Sequence, residues 1–178
     1  MAFRMVPTIL LLTLMGGVSD AQQAMFPELK AQNLDHKILS LPGDFSGELN
    51  LVFVAFEQDH QREVDSWLEA APYIFKGYPG IPFYEVAAIG KDYKLARYFI
   101  NKGMRYGISK EEQREHTVAV YIDKRPFEQA LQIPDENRSA VLLVDRKGKV
   151  LWRDYGLYYD IKGNSLRSAL AALREASH

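Results

Sequence analysis

The clearest hydrophobic feature of the chain is Leu51-Val52-Phe53-Val54-Ala55-Phe56, a continuous apolar run bounded by polar residues. Such a run suits a strand buried on both faces of a central sheet. Ahead of it, Phe26–Asn50 carries short alternating stretches and the punctuation Pro42-Gly43-Asp44. That pattern predicts an N-terminal hairpin or extended lead-in. Behind it, Val64, Trp67, Leu68 and Ala71 fall on one face of a helix spanning Asp59–Phe75, with Pro72 expected to kink or end it near Ala71. Ile81–Ile89 follows as a second strand.

Asp92–Lys102 is expected to be a helix with Leu95, Ala96, Phe99 and Ile100 on its core face and Gly103 as its stop. Ser109-Lys110-Glu111-Glu112 has capping-box spacing. Thr117–Ile122 alternates as a strand, and a short helix through Phe127–Leu131 comes after Pro126. Ala140–Asp145 and Val150–Tyr155 flank the tight turn Arg146-Lys147-Gly148-Lys149 as a hairpin, and Ser165–Glu175 closes the chain as a helix facing Leu166, Ala169, Leu170 and Leu173 inward. Strands separated by helices require parallel neighbours, while the last hairpin adds antiparallel pairing. The expectation is an α/β fold, a central mixed sheet flanked by helices with an N-terminal hairpin extension.

Composition narrows the function. The chain has 178 residues and a net charge of −1, so it has no overall electrostatic claim on nucleic acid or acidic lipid. Its first segment divides into Arg4, the apolar run Met5–Met15, and small residues ending with Ser19 and Ala21 at the spacing signal peptidase reads. The expectation is a signal peptide over 1–21, one domain over 22–178, and a periplasmic or secreted location. The apolar run is about half of the roughly 20 residues a bilayer crossing needs; the alternative is a leader retained as an anchor, and otherwise no stable membrane insertion is expected. The chain contains no cysteine. No disulfide staples it, and chemistry that needs a thiolate is closed to it.

The element order and the hairpin Leu143-Val144-Asp145-Arg146-Lys147-Gly148-Lys149-Val150-Leu151-Trp152 resemble the thioredoxin-like superfamily, most of all peroxiredoxins and exported thiol-disulfide oxidoreductases. In those enzymes the reactive cysteine sits just after the first buried strand, at a helix N-terminus, and a cis-proline precedes the last hairpin. The corresponding stretches here are Glu57-Gln58-Asp59-His60-Gln61-Arg62 and Asn137-Arg138-Ser139-Ala140, without sulfur and without proline. A closer resemblance, carried by Phe56, Val64-Asp65-Ser66-Trp67, Gly107–Gln113 and Leu143–Trp152, is to the thioredoxin-like mitochondrial ATP-synthase assembly factors. It implies a chaperone of a membrane-complex subunit. Ser139-Ala140 stands where that family has a glycine-aromatic pair, and the leader here is of secretory type.

Candidate chemistry is sparse. Asp59, His60 and Arg62 would present a polar patch at a helix N-terminus, or Asp59 would simply cap that helix. None of the four histidines has metal-ligand spacing, no phosphate loop or hydrolase motif occurs, and no cofactor is expected. Trp152 and the cluster Tyr155, Tyr158 and Tyr159 form a second candidate face, because half-buried aromatics serve binding as well as packing. The expected partner-binding residues are therefore Asp59, His60, Arg62, Ser139, Trp152 and Tyr155. The leading expectation is a redox-inactive protein-binding or assembly module. The alternatives are an enzyme with non-thiol chemistry, or a small-ligand binder using the vacated groove.

Overall fold

The computed structural model describes residues 23–176; the leader expected over 1–21 lies outside them. β1 (Leu29–Asn33) and β2 (Ile38–Leu41) form the N-terminal hairpin. β3 (Leu49–Ala55) leads through a 3-10 turn, Gln58–His60, into α1 (Gln61–Ile74). After β4 (Phe83–Gly90), a second 3-10 segment, Lys91–Ala96, runs into α2 (Arg97–Gly107). Then come α3 (Glu111–Glu115), β5 (Thr117–Ile122) and α4 (Lys124–Leu131). β6 (Ala140–Asp145), β7 (Val150–Tyr155) and α5 (Asp160–Ala176) complete the chain.

The seven strands form one sheet in the order β2-β1-β5-β4-β3-β6-β7. β3, β4 and β5 are parallel; β6 pairs antiparallel with β3 and with β7, and β1 antiparallel with β5 and β2. The expected mixed sheet with its hairpin extension is thus present. From Leu51 onward β3 is continuously apolar because both its faces are covered. Val52 and Val54 join Phe26, Phe45, Val86, Phe127 and Leu142 on one face, while Leu51 and Phe53 join Trp67, Ile74, Val141, Leu143, Leu166 and Leu170 on the other.

The last turn is built by Asp145, whose Oδ1 accepts the backbone N–H groups of Lys147 and Lys149, both at 2.9 Å. Gly148 closes it at φ 87°, where a Cβ would also meet Pro42 Cγ at 2.7 Å, so only glycine fits.

Several local expectations change. α1 continues past Pro72 to Ile74, and α2 runs through Gly103 to Gly107. α1 has no side-chain cap, so Asp59 does not serve as one, and α3 forms without its capping box. The largest change concerns α2. Leu95 is 98% exposed and Phe99 75% exposed, and α2 buries no residue. Of the expected core face, Ala96 and Ile100 are half-buried, while Leu95 and Phe99 point away from the core.

Candidate functional site

The C-terminal end of β3 and the start of α1 lie against the loop before β6. Phe56 is the last buried residue of the first apolar run, and its N–H has left the sheet. His60 takes it up: the Phe56 N–H donates to His60 Nδ1 at 3.2 Å, and the His60 N–H donates to the Glu57 carbonyl at 3.2 Å. The imidazole, 4% exposed, stands edge-on to the Phe56 ring at 6.4 Å. His60 therefore closes the strand exit, and little of it is offered to solvent.

Ser139 is also fully buried. Its N–H donates to Glu63 Oε2 at 2.7 Å, and its carbonyl accepts the Gly156 N–H at 2.8 Å. Its Oγ is buried with no hydrogen-bond partner, so no base activates it as a nucleophile. Of the expected partner-binding residues, His60 and Ser139 thus have their side chains buried. In sequence, Glu63 reads as a first-turn surface residue. Its role depends on a contact 76 residues away, which no local pattern signals.

The loop after β7, which meets Ser139 through Gly156, is tied to α1 at two points. Trp67 Nε1–H donates to the Gly156 carbonyl at 2.8 Å, and the Tyr158 N–H donates to Ser66 Oγ at 2.9 Å. Gly156 sits at φ 72°, and a Cβ there would approach Arg138 Cδ at 3.2 Å, which makes this crossing of loop and helix a glycine position.

Over these buried contacts lies an open hollow of about 410 Å³ lined by Gln58, Asp59, His60, Arg62, Glu63 and Asn137. Asp59 and Arg62 are exposed at its rim. Tyr155 lies beyond the Ser139 loop, with the Arg138 guanidinium 5.8 Å from its ring centre. Trp152 is elsewhere: it meets Trp67 edge-on at 6.0 Å and donates through Nε1–H to Ser165 Oγ at 3.1 Å on α5. Residues three apart in a strand face opposite sides, so Trp152 packs with the α1–α5 cluster while Tyr155 packs with the other one. The expected aromatic cluster is thereby split. The structure brings Asp59, His60 and Arg62 together over Ser139, with Tyr155 flanking and Trp152 apart.

One more buried acid lies near α1. Glu85 on β4 is 7% exposed, and its Oε2 has no hydrogen-bond partner. Burial, reinforced by the nearby Asp65 carboxylate and partly relieved by a hydrogen bond from Gln61, pushes its pKa up to about 7. Among the described residues no group of three or more acids and histidines is arranged to hold a metal, and no helix is long and apolar enough to cross a membrane.

No family model and no curated protein matches the sequence. Solved structures do match its architecture. BsSco, a member of the Sco family of cytochrome c oxidase assembly proteins, aligns with TM-score 0.52 over 83% of this chain and 94% of its own, at 16% identity. A protein of Aquifex aeolicus VF5 provisionally assigned to electron transfer aligns with TM-score 0.54 over 83% of this chain and 97% of its own, at 17% identity. The fold is thioredoxin-like. At such identities the likeness reaches the fold and not the chemistry. In this chain the site region has no sulfur, and a carboxylate occupies the backbone N–H of the loop before the last hairpin.

Proposed function

We propose that this protein is an exported, redox-inactive thioredoxin-like module that binds a protein partner and serves its assembly. The observation that carries the reading is the rebuilt site at the start of α1. No thiolate can form in a chain without cysteine, and the Glu63 carboxylate holds the Ser139 N–H at 2.7 Å. The scaffold is kept while the chemistry is absent, which is the expected outcome when the surface rather than the reaction is used. Two likenesses support an assembly role: the sequence resemblance to ATP-synthase assembly factors, and the shared fold of BsSco, itself from a family of oxidase assembly proteins.

On this reading the partner meets the rim of the hollow, where Asp59 and Arg62 are exposed and Tyr155 with Arg138 flanks the approach. Arginine and tyrosine are the residue types that dominate such contacts. Affinity capture from native membranes, with mass spectrometry of the retained proteins, tests it by comparing Arg62→Glu with Trp152→Ala. Circular dichroism first establishes that both variants are folded. Loss of the partner in Arg62→Glu alone supports the hollow. Loss in Trp152→Ala alone moves the contact to the α5 side, and a partner retained by both variants removes this surface from the account.

A further inference from the structure

We infer that the segment Lys91–Gly107 is a peripheral docking ridge for an anionic lipid surface. Helices on a sheet are normally held by an apolar stripe turned inward. α2 buries no residue fully, and beside the half-buried Ile100 and Met104 it is held by polar contacts: the Tyr121 hydroxyl, on the sheet face that also carries α1 and α5, donates to Asn101 Oδ1 at 2.8 Å, and Arg105 bonds to the Leu34 carbonyl and, at 2.7 Å, to Asp35 Oδ1. Between helix and sheet lies an open cleft of about 1290 Å³ with Lys30, Gln32 and Ala119 on its sheet side and Lys94, Arg97, Tyr98, Lys102 and Tyr106 on its helix side.

The outward side is apolar and aromatic. Leu95 and Phe99 stand in solvent beside Tyr93, and Tyr98 and Tyr106, the latter 80% exposed, edge the mouth of the cleft. At a rise of about 1.5 Å per residue, the eleven steps from Leu95 to Tyr106 make a ridge roughly 16 Å long. Lone exposed apolar residues are ordinary, but five large ones on one short segment are a patch.

Charge selects what covers the patch. Residues 91–107 hold five cations, Lys91, Lys94, Arg97, Lys102 and Arg105, against one acid, Asp92. Lys91 is paired with Asp123 and Arg105 with Asp35, which leaves Lys94, Arg97 and Lys102 without an acidic partner among the described residues. The chain's net charge of −1 conceals this local excess. A second copy docked on the same face would set these cations against their own equivalents. An anionic bilayer instead receives both parts of the ridge. Leucine, phenylalanine and tyrosine enter the boundary between headgroups and acyl chains, and the long cationic stems reach back to phosphate. Lys102 already lies against two rings, its Nζ 6.0 Å from the Tyr98 centre and 5.9 Å from that of Tyr106. The ridge stands in solvent beside the mouth of the cleft, so it suits a deformable flat surface.

The absence of cysteine provides the assay, because Gly103→Cys gives a unique labelling position. A Cβ at Gly103 meets nothing within 4 Å, so the label leaves the helix undisturbed. An environment-sensitive dye at this position is titrated, on the full chain, with vesicles of phosphatidylcholine alone or mixed with phosphatidylglycerol. The expected result is a blue shift with the anionic vesicles only, weakened by salt. In the same background Leu95→Ser with Phe99→Ser, and separately Lys94→Glu with Lys102→Glu, should each weaken vesicle binding at least about tenfold, roughly the loss expected from two apolar anchors or from reversing two cations near the surface. All four side chains are exposed, so the fold is not at stake. The inference is overturned by no shift with anionic vesicles, or by a shift that both double variants retain. A shift without lipid that grows with protein concentration, or one produced only by a captured protein, overturns it equally by naming a different occupant.

Discussion

Replacing Trp67 with alanine removes the largest fully buried side chain of the α1–α5 core. Trp67 is 1% exposed, meets Tyr158 edge-on at 5.2 Å and Trp152 at 6.0 Å, and donates to the Gly156 carbonyl. Deleting a buried aromatic costs about 3–5 kcal/mol through lost transfer energy and the cavity left behind. The orphaned Gly156 carbonyl adds about 1–3 kcal/mol if the loop cannot turn it to water. These contributions overlap, so the expected loss is at the upper end, about 4–5 kcal/mol. Trp67→Phe keeps most of the volume and loses the hydrogen bond, for an expected loss of about 1–3 kcal/mol. Urea denaturation followed by circular dichroism reads both, as a lower midpoint with an unchanged slope. A loss under about 1 kcal/mol in Trp67→Ala, or equal losses in the two variants, would refute the reasoning. Native stability is itself only about 5–15 kcal/mol, so if the alanine variant fails to fold, the phenylalanine variant carries the test.

Other expectations follow from the buried polar groups and the leader. Glu85 has its pKa raised from 4.5 to about 7 by burial, so the folded state holds a proton that the unfolded state releases. Its effect is absent below about pH 4.5, and it lowers stability as pH rises to 7, by about 3 kcal/mol in all. Glu85→Gln should flatten that slope in urea melts taken across the window; an unchanged slope would contradict it. Glu63→Ala should leave the buried Ser139 N–H unpaired, costing about 1–3 kcal/mol and speeding exchange of that amide in hydrogen-exchange measurements. An unaltered Ser139 exchange rate would count against the contact. Export should leave Gln22 as the first residue, read by intact mass; retention of Met1 on most molecules would indicate an anchor instead.

Much of this architecture was legible because it rests on local pattern. The run Leu51–Phe56 could only be a doubly covered strand, and the Asp145–Lys149 turn carries its own hydrogen-bond acceptor and its positive-φ glycine. The face of α2 was not legible. Periodicity groups Leu95 with Phe99, but it does not say which side of the helix the sheet will hold; here Tyr121 and Asp35 hold the polar side. The candidate site was half legible. Asp59 and Arg62 lie at the rim as their place after β3 suggests, whereas the burial of His60 and Ser139 depends on hydrogen bonds closed only in three dimensions. Trp152 and Tyr155 look like one cluster in sequence and are separated by the alternation of the strand that carries them.

The central claim is that the hollow at the start of α1 meets a protein and performs no thiol chemistry. The most direct measurement places a photo-crosslinking residue at Arg62 and, as a control, at Glu69, exposed two turns further along the same helix. Both variants are irradiated in the native envelope. The account predicts a discrete protein adduct from position 62, identified by mass spectrometry, and none of that mass from position 69. Folded, correctly exported protein that gives no adduct at position 62, or the same adduct from both positions, would contradict it.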